Sequence, residues 1–593
     1  RYPIDSPIEN VFVEYNKGKK ENEKMTLAKY KELVSEYTNT SNHQTKELFR
    51  QTIEGIKRAF KTELSNQFKE KLAKLRGKVI MLEGPTLFGE RTKAEKAELK
   101  KLKEKLNILE KEQEDIQKNK LYVDAFEWRF EFPQLFDKNG LFTGFDITIG
   151  NPPYNELRDL DLSMQTALKL SRHYEYAKGG RLNMFQFFYP LAINIARDNG
   201  IVSMITQNSI LAEDSALGNR KLFFAQTDIL SIDSFPERDN KNLRVFESAK
   251  MSVCICTLRR NNQPDAYKTI PINVWHSRFM QVKHKLNITI KEIIEMYPED
   301  FIIPISSNEK FSILKDIKQK GQYHIIASAG EIDMTKYKSK FNNIGLGTRV
   351  ITGAQIQRYY ITDTPSQGNV IYINDQNKPG LSSKREQEVS NPRIVLQRIT
   401  GVDSKVRIIS TLINGHMYCA NSTNYIANDN SINIKYLLGV LNSSLVNFFI
   451  KQTSTNTNIT AKVLNSIPII FPSTKMQEAI IRIVDYVLII KSLPSDIIID
   501  QYVDNDVMAR QFENVIDALI YELYFSDEFA QENISFVDSV LRDFQIINAN
   551  TESVVQIILD TFTKLRSMDN DIRNNLKYMS IKLESLLAPI INI

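Results

Sequence analysis

The sequence predicts an α/β protein: part of an open, largely parallel sheet with flanking helices, preceded by a helical hairpin and followed by an α+β region and a helical C-terminus. Three observations carry this. Between residues 145 and 260, β-branched runs alternate with apolar helical stretches, as in βαβ units. Before residue 120, leucines recur at helical spacing among lysines and glutamates. After residue 300, helical periodicity gives way to short β-type runs separated by Gly, Asn, Ser and Thr.

At 593 residues, 42% hydrophobic and 25% charged, the chain is long enough for three or four domains. The patterns divide it into a helical region over 1–120, a sheet-bearing region over 121–300, an α+β region over 301–475 and a helical region over 476–593. A net charge of +6 on so long a chain tolerates a polyanionic partner without demanding one. The cysteines Cys254, Cys256 and Cys419 form neither a disulfide framework nor a four-ligand zinc set, which fits a reducing cytoplasm. No metal site is expected, because the six histidines are scattered. No apolar run reaches the ~18 residues of a membrane span, and no signal peptide opens the chain. A start at Arg1 is expected of a piece of a longer product.

In the first region Ile56, Phe60, Leu64, Phe68, Leu72 and Leu75 mark one helical stripe, and Leu99, Leu102, Leu106, Leu109 and Ile116 a second. Gly84-Pro85 and Gly89 supply a turn between them, so two long antiparallel helices are expected, with Lys and Glu on solvated faces. The aromatic stretch Trp128, Phe130, Phe132 and Phe136, with its Glu131-Phe132-Pro133 turn, leads into Phe145-Asp146-Ile147-Thr148-Ile149-Gly150. That run reads as a buried strand, closed by Asn151-Pro152-Pro153-Tyr154. Proline cannot donate to a ladder, so the strand empties into a loop at the sheet's carboxyl edge, where ligands of open α/β sheets bind. Next come a helix opened by Asn183 and running through Ile195, the strand Ile201–Thr206, a helix near 216–226, the strand Ile229–Ile232, and Met251–Leu258 as a last strand.

The loop has a specific chemistry. The Asn151 side-chain oxygen and the Pro152 carbonyl can each accept a hydrogen from a planar exocyclic amine, Pro153 stiffens the corner, and Tyr154 offers a ring to stack on. Two acceptors draw electron density back onto the nitrogen and stabilise the positive charge that develops as it attacks a methyl donor. The bland alternative is a proline turn after a strand.

Phe145-Asp146, Gly150 and Asn151-Pro152-Pro153-Tyr154 together resemble the catalytic motif of the S-adenosylmethionine-dependent DNA adenine-N6 methyltransferases. Glutamine-N5 methyltransferases acting on release factors and some RNA guanine methyltransferases use the same tetrapeptide. The resemblance extends over 121–260 in order: catalytic loop, Asn183-Met184-Phe185, Gly200-Ile201-Val202-Ser203, then Val245-Phe246 before the last strand. It implies a partial Rossmann-like methyltransferase sheet and a flipped adenine held between Tyr154 and Phe246. Asp146 is expected to brace the strand. The family's glycine-rich donor-binding turn is not found ahead of the catalytic loop. Leu82-Glu83-Gly84-Pro85-Thr86-Leu87-Phe88-Gly89 joins charged helices and reads as a hairpin turn. S-adenosylmethionine is therefore expected to bind mainly to a segment upstream, and the chain alone to bind it poorly and methylate little.

The runs Gly345–Gly353, Val370–Ile373, Asn391–Gly401 and Val406–Ile409 resemble the target-recognition domain of TaqI-like methyltransferases and Eco57I-like type IIG restriction-modification enzymes. Leu441-Asn442-Ser443-Ser444-Leu445 and Ile467–Pro472 match its close. The implied partner is double-stranded DNA, with Arg349, Arg358, Lys384, Arg385, Arg393, Gln397 and Arg398 as expected contacts. Phe512–Phe525 resembles a terminal helix of the same proteins. No nuclease metal set is seen, so any cleavage module is expected in an upstream segment of the same polypeptide. Three rivals remain open: a DNA-binding specificity fragment without catalysis, a BREX-type phage-defence methyltransferase, and an RNA or protein methyltransferase, which the long region after 300 disfavours.

Overall fold

A computed structural model describes residues 9–59, 66–84, 93–117, 128–177, 182–279, 281–377, 380–400, 406–453, 458–494, 496–548, 550 and 553–591. The chain forms two compact units, one of residues 1–283 and 287–303, the other of 284–286 and 304–593. The regions divided at 475 on the sequence pattern fall within one unit.

In the first unit, helix Leu27–Asn39 begins where the Thr26 side chain accepts from the Lys29 amide, a cap worth about 1 kcal/mol. Tyr30 on this helix is fully buried with Phe12, Ile56, Phe130 and Phe136, and its hydroxyl donates to the Phe130 carbonyl at 3.1 Å. The aromatic lead-in is thus shared between two jobs. Phe130 and Phe136 complete the helical core, while Trp128 and Phe132 pack on Phe145 with ring centroids 5.5 and 5.1 Å away. The antiparallel hairpin is Asn66–Glu83 against Lys93–Gln117, with Arg76 paired to Glu110 at 2.9 Å and Glu83 to Lys103. The stripe starting at Ile56 is divided between His43–Ala59 and Asn66–Glu83. Phe60, Leu64 and the expected turn at 85–89 lie outside the described residues.

The sheet contains β1 (Phe145–Gly150), β2 (Ala196–Gln207), β3 (Thr227–Phe235), β4 (Val253–Arg260), β5 (Thr269–Trp275) and β6 (Val282–Thr289), in the order β1-β2-β4-β3-β5-β6. β1 pairs parallel with β2, and β3 with β5, but β4 runs antiparallel to both β2 and β3. The expected largely parallel sheet is therefore mixed. No crossover helix separates β3 from β4, so the chain returns beside itself reversed. β4 is also not last, since β5 and β6 extend the sheet beyond β3.

A second correction concerns β1. It is an edge strand and not a buried one, with Ile147 60% and Ile149 79% exposed on the face they share. Its register on β2 is set by glycine: a Cβ on Gly144 (φ +87°) would sit 2.4 Å from the Arg197 amide nitrogen, and one on Gly200 would sit 2.7 Å from the Phe145 carbonyl oxygen. Only bare backbone lets the strands close at this point.

The second unit holds two four-stranded sheets. One has the order β15 (Tyr418–Cys419), β9 (Thr348–Ile351), β12 (Ile371–Ile373), β8 (Phe341–Asn342); the other β14 (Ser410–Ile413), β13 (Arg393–Gln397), β16 (Thr423–Ala427), β7 (Ala327–Ala329). A hairpin of β10 (Ile356–Gln357) and β11 (Tyr360–Ile361) stands beside them. The run expected as a strand at 406–409 is irregular, and the strand starts at Ser410. The Arg407 amide donates to the Asn447 side chain at 2.6 Å and not to a ladder. The helices Thr474–Ser492 and Asn505–Tyr524 meet through Tyr486 and Phe512, 5.7 Å apart, with Phe544 5.5 Å and Phe562 6.1 Å from Phe512.

Candidate active site

β1, β2 and β3 point the same way, so their carboxyl ends gather the chemistry at one edge. Gly150 lies beside Met204, and Gln207 and Phe235 flank Val253. The corner 151–154, the turn after Gln207 and the loop 236–252 all leave this edge. Pro152 is buried and anchors the corner, while Asn151 and Pro153 are exposed and Tyr154 is half-buried.

The Tyr154 hydroxyl lies 2.8 Å from Asn151 Oδ1 and 2.9 Å from the Ile205 carbonyl oxygen. It has one proton for two acceptors. Burial raises its pKa to about 12, so the hydroxyl stays protonated at neutral pH and remains a donor. Donation to Ile205 frees Asn151 Oδ1. Even when Tyr154 donates to it, that oxygen keeps a second lone pair for a substrate amine. The expected bracing role of Asp146 has a partner, Arg197 Nε at the start of β2, well away from the corner.

Tyr154 and Phe246 do meet: their ring centroids are 6.2 Å apart and tilted by 57°. Phe185 approaches Tyr154 edge-on at 6.4 Å. A base stacked between two parallel rings needs about 7 Å, two contact distances of roughly 3.5 Å each. The pair as it stands is slightly too close and too tilted, so admitting a ring requires Phe246 to swing with its loop. That loop is tied by Arg244, which donates to the carbonyls of Arg238 at 3.2 Å and Glu247.

Two supporting residues were not identified by sequence reasoning. Asn183 is 9% exposed and its Nδ2 donates to the Tyr154 carbonyl at 2.7 Å. Gln186 Oε1 accepts from the Asn183 amide at 3.0 Å, and its Nε2 donates to Ser215 Oγ at 3.2 Å. The Met184 amide donates to the Asn155 carbonyl at 2.9 Å. The corner is thereby fixed to the start of helix Phe185–Ile195. The available signal was the polar-x-x-Gln spacing before an apolar helix, one half of a capping box.

The expected DNA contacts divide sharply. Arg393 is 1% exposed, ion-paired to the equally buried Glu331, bonded to the Met417 carbonyl at 2.7 Å and stacked 4.4 Å from the Tyr425 ring. Arg358 reaches Glu513 and the Asn442 carbonyl at 2.7 Å. Arg393 is thus spent on a buried carboxylate inside the unit, while Arg358, with its side chain 27% exposed, is paired to the partly buried Glu513. Gln397 donates to the Ile356 carbonyl at 2.7 Å. Arg349 pairs with the exposed Asp363 at 2.7 Å, and Arg398 is half-exposed and donates to the Asn421 carbonyl at 3.1 Å. Lys384 and Arg385 are exposed on helix Ser383–Ser390.

Nothing among the described residues forms a glycine-rich turn after a strand ahead of β1, and Glu83, before Gly84, ends a helix. The described residues ahead of β1 supply no such turn for a donor. Among the described residues no group of three or more His, Cys, Asp or Glu is placed to hold a metal ion, and no helix is long and apolar enough to cross a membrane.

Residues 15–241 match the family model of the Eco57I restriction-modification methylase, and residues 348–469 that of the TaqI-like C-terminal specificity domain. A Methanocaldococcus jannaschii protein, named for type II restriction enzyme and methyltransferase functions, is 23% identical over 456 residues, covering 70% of this chain and 34% of its own length. The chain thus spans about a third of the curated relative it matches. Among solved structures, the type IIL restriction-modification enzyme MmeI in complex with DNA aligns at 15% identity over 71% of this chain and 57% of its own, with a TM-score of 0.40. The type IIG restriction endonuclease BpuSI aligns at 11% identity over 87% and 76%, with a TM-score of 0.27.

Proposed function

Because the chain carries an Eco57I restriction-modification methylase region joined to a TaqI-like specificity domain, we propose that it is the adenine-acceptor and DNA-recognition portion of a type IIG restriction-modification methyltransferase acting in the cytoplasm. The observation that carries this reading is the corner at the end of β1: an exposed amide oxygen, a buried proline and a half-buried tyrosine ring facing Phe246. Asn151 Oδ1 and the Pro152 carbonyl accept from N6 of an adenine swung out of the duplex, and Tyr154 and Phe246 take its two faces once Phe246 moves. Aromatic stacking of ~1–3 kcal/mol per base offsets much of the cost of extrusion. S-adenosylmethionine supplies the methyl group, and its site is proposed in a segment of the polypeptide ahead of this one, an assignment supported by the open outer edge of β1. A nuclease module in that segment belongs to the same proposal, and a cleavage assay on unmodified DNA separates it from the rival BREX-type methyltransferase, which does not cut.

Transfer of labelled methyl from S-adenosylmethionine to adenine in duplex DNA by the complete polypeptide is the test. The Asn151→Ala variant should lose about 100- to 1,000-fold in transfer, as removal of one polar partner of a reacting group does elsewhere. DNA binding should change little, since phosphate contacts are untouched. Equal turnover by the variant would refute the role of Asn151.

A second reading, recognition without catalysis, is favoured by one observation: Asn151 Oδ1 already has the Tyr154 hydroxyl at 2.8 Å. Specific DNA binding with no methyl incorporated by the complete polypeptide would establish it.

A further inference from the structure

One feature of the second unit is unexplained by its arginines. Between β8 and β9 the chain runs Asn342-Asn343-Ile344-Gly345-Leu346-Gly347, and Ile344 is 73% and Leu346 56% exposed. The loop is held in shape. Asn342 Oδ1 accepts from the Ile344 and Leu346 amides at 3.3 and 3.1 Å, and its Nδ2 donates to the Leu346 carbonyl at 2.8 Å. Gly347 (φ +96°) lies so close to β12 that a Cβ would meet the Ile373 carbonyl oxygen at 2.2 Å, whereas one on Gly345 (φ +83°) meets nothing within 4 Å. Two aliphatic side chains therefore stand in open space on a braced tip.

The segment leading into that tip is cationic. Lys336, Lys338 and Lys340 are exposed on it, with the Lys336 and Lys340 ammonium groups 5.7 and 5.3 Å from the Tyr337 ring centroid. Asp333 Oδ1 accepts from the Thr335 and Lys336 amides at 2.9 and 3.0 Å, and Asp363 pairs with Arg349, so along 333–340 the three lysines outnumber the one carboxylate of Asp333. An apolar point that follows a run of positive charge suits a partner that is anionic outside and apolar within, and a stacked duplex has that build.

We propose that Ile344 and Leu346 form a wedge that enters a groove of duplex DNA and parts one base step, while Lys336, Lys338 and Lys340 sit on the flanking phosphates. The proposal rests on the DNA-methyltransferase reading and adds to it a means of deforming the site, by which sequence is sensed without base-edge hydrogen bonds.

The experiment uses the complete polypeptide and a duplex bearing the sequence it methylates in its host, with 2-aminopurine placed at successive positions. Wild-type protein should raise the fluorescence several-fold at one step other than the target adenine. The Ile344→Ser, Leu346→Ser double variant, altered only at exposed positions, should melt as wild type does, lose that signal and bind about 10- to 100-fold more weakly. A Lys336→Ala, Lys338→Ala, Lys340→Ala variant should keep the signal at saturation and lower the salt slope of binding by about 2 to 3. Wild-type methylation with an unchanged double variant overturns the wedge alone, as does a loop that binds phosphatidylserine vesicles or another part of the polypeptide with DNA binding intact. Wild-type protein that neither binds nor methylates any duplex overturns the functional reading and the wedge together.

Discussion

The corner of the first unit and the arginines of the second were both marked as functional by residue type, yet they sit in opposite environments. Asn151 is exposed at a strand end, while Arg393 is 1% exposed against Glu331. The difference lies in what surrounds each residue in sequence. Two prolines follow β1 and have no amide proton to give a ladder, so the chain leaves the sheet there and Asn151 stays exposed. Arg393 opens β13, a strand flanked on both sides whose first four residues are all buried, so its guanidinium must find a carboxylate. A motif bounded by backbone constraints can thus be read as a site, whereas a cation within a strand cannot.

The sharpest break of this comparison exchanges activity for stability. If the corner is functional and Arg393 structural, Asn151→Ala should cost its 100- to 1,000-fold in turnover with an unchanged melting curve. Arg393→Ala should instead destabilise the second unit by about 3–5 kcal/mol, because it strands the buried Glu331, and urea unfolding measures this. A stable Arg393→Ala protein with weakened DNA binding would reverse the two roles.

A smaller effect concerns Asp517, whose carboxyl burial pushes up to about 6 while its oxygen accepts from the Ser444 amide at 2.8 Å. The folded protein holds this proton to higher pH than the unfolded chain does. The resulting stabilisation is full below the ordinary carboxylate pKa and is lost as pH rises through about 6. Asp517→Asn keeps an accepting oxygen and does not titrate. Its stability relative to wild type should rise by about 2–3 kcal/mol across that window and then level off, as unfolding at several pH values will report. The smallest change is expected at Arg398, half-exposed and, among the described residues, donating to the Asn421 carbonyl: Arg398→Ala should lower the salt slope of DNA binding by about 1 and leave stability unaffected.

The sequence made the carboxyl-edge corner, the order of strands and helices through β4, and the hairpin of charged helices legible, because each rests on local signals: prolines, β-branched runs and leucine spacing. The antiparallel sense of β4 was not legible, since it depends on the missing crossover between β3 and β4. β5 and β6 went unread, and Val282–Thr289 is largely polar, with Lys283, His284 and Lys285 in succession. At the site, Tyr154 and Phe246 lie 6.2 Å apart and tilted, without the parallel gap that a base between them would need. Asn183 was seen as a helix opener, but its bond to the Tyr154 carbonyl is a tertiary fact that no spacing encodes.

The outer edge of β1 has a practical corollary for anyone handling the protein. Among the described residues no strand covers that edge, and its amides and carbonyls beside two exposed isoleucines make a template on which a stray strand, including one from a second molecule, can zip. Preparations of this stretch by itself will tend to stick and precipitate through that seam, and a lysine in place of Ile149 is the simplest way to keep them in solution.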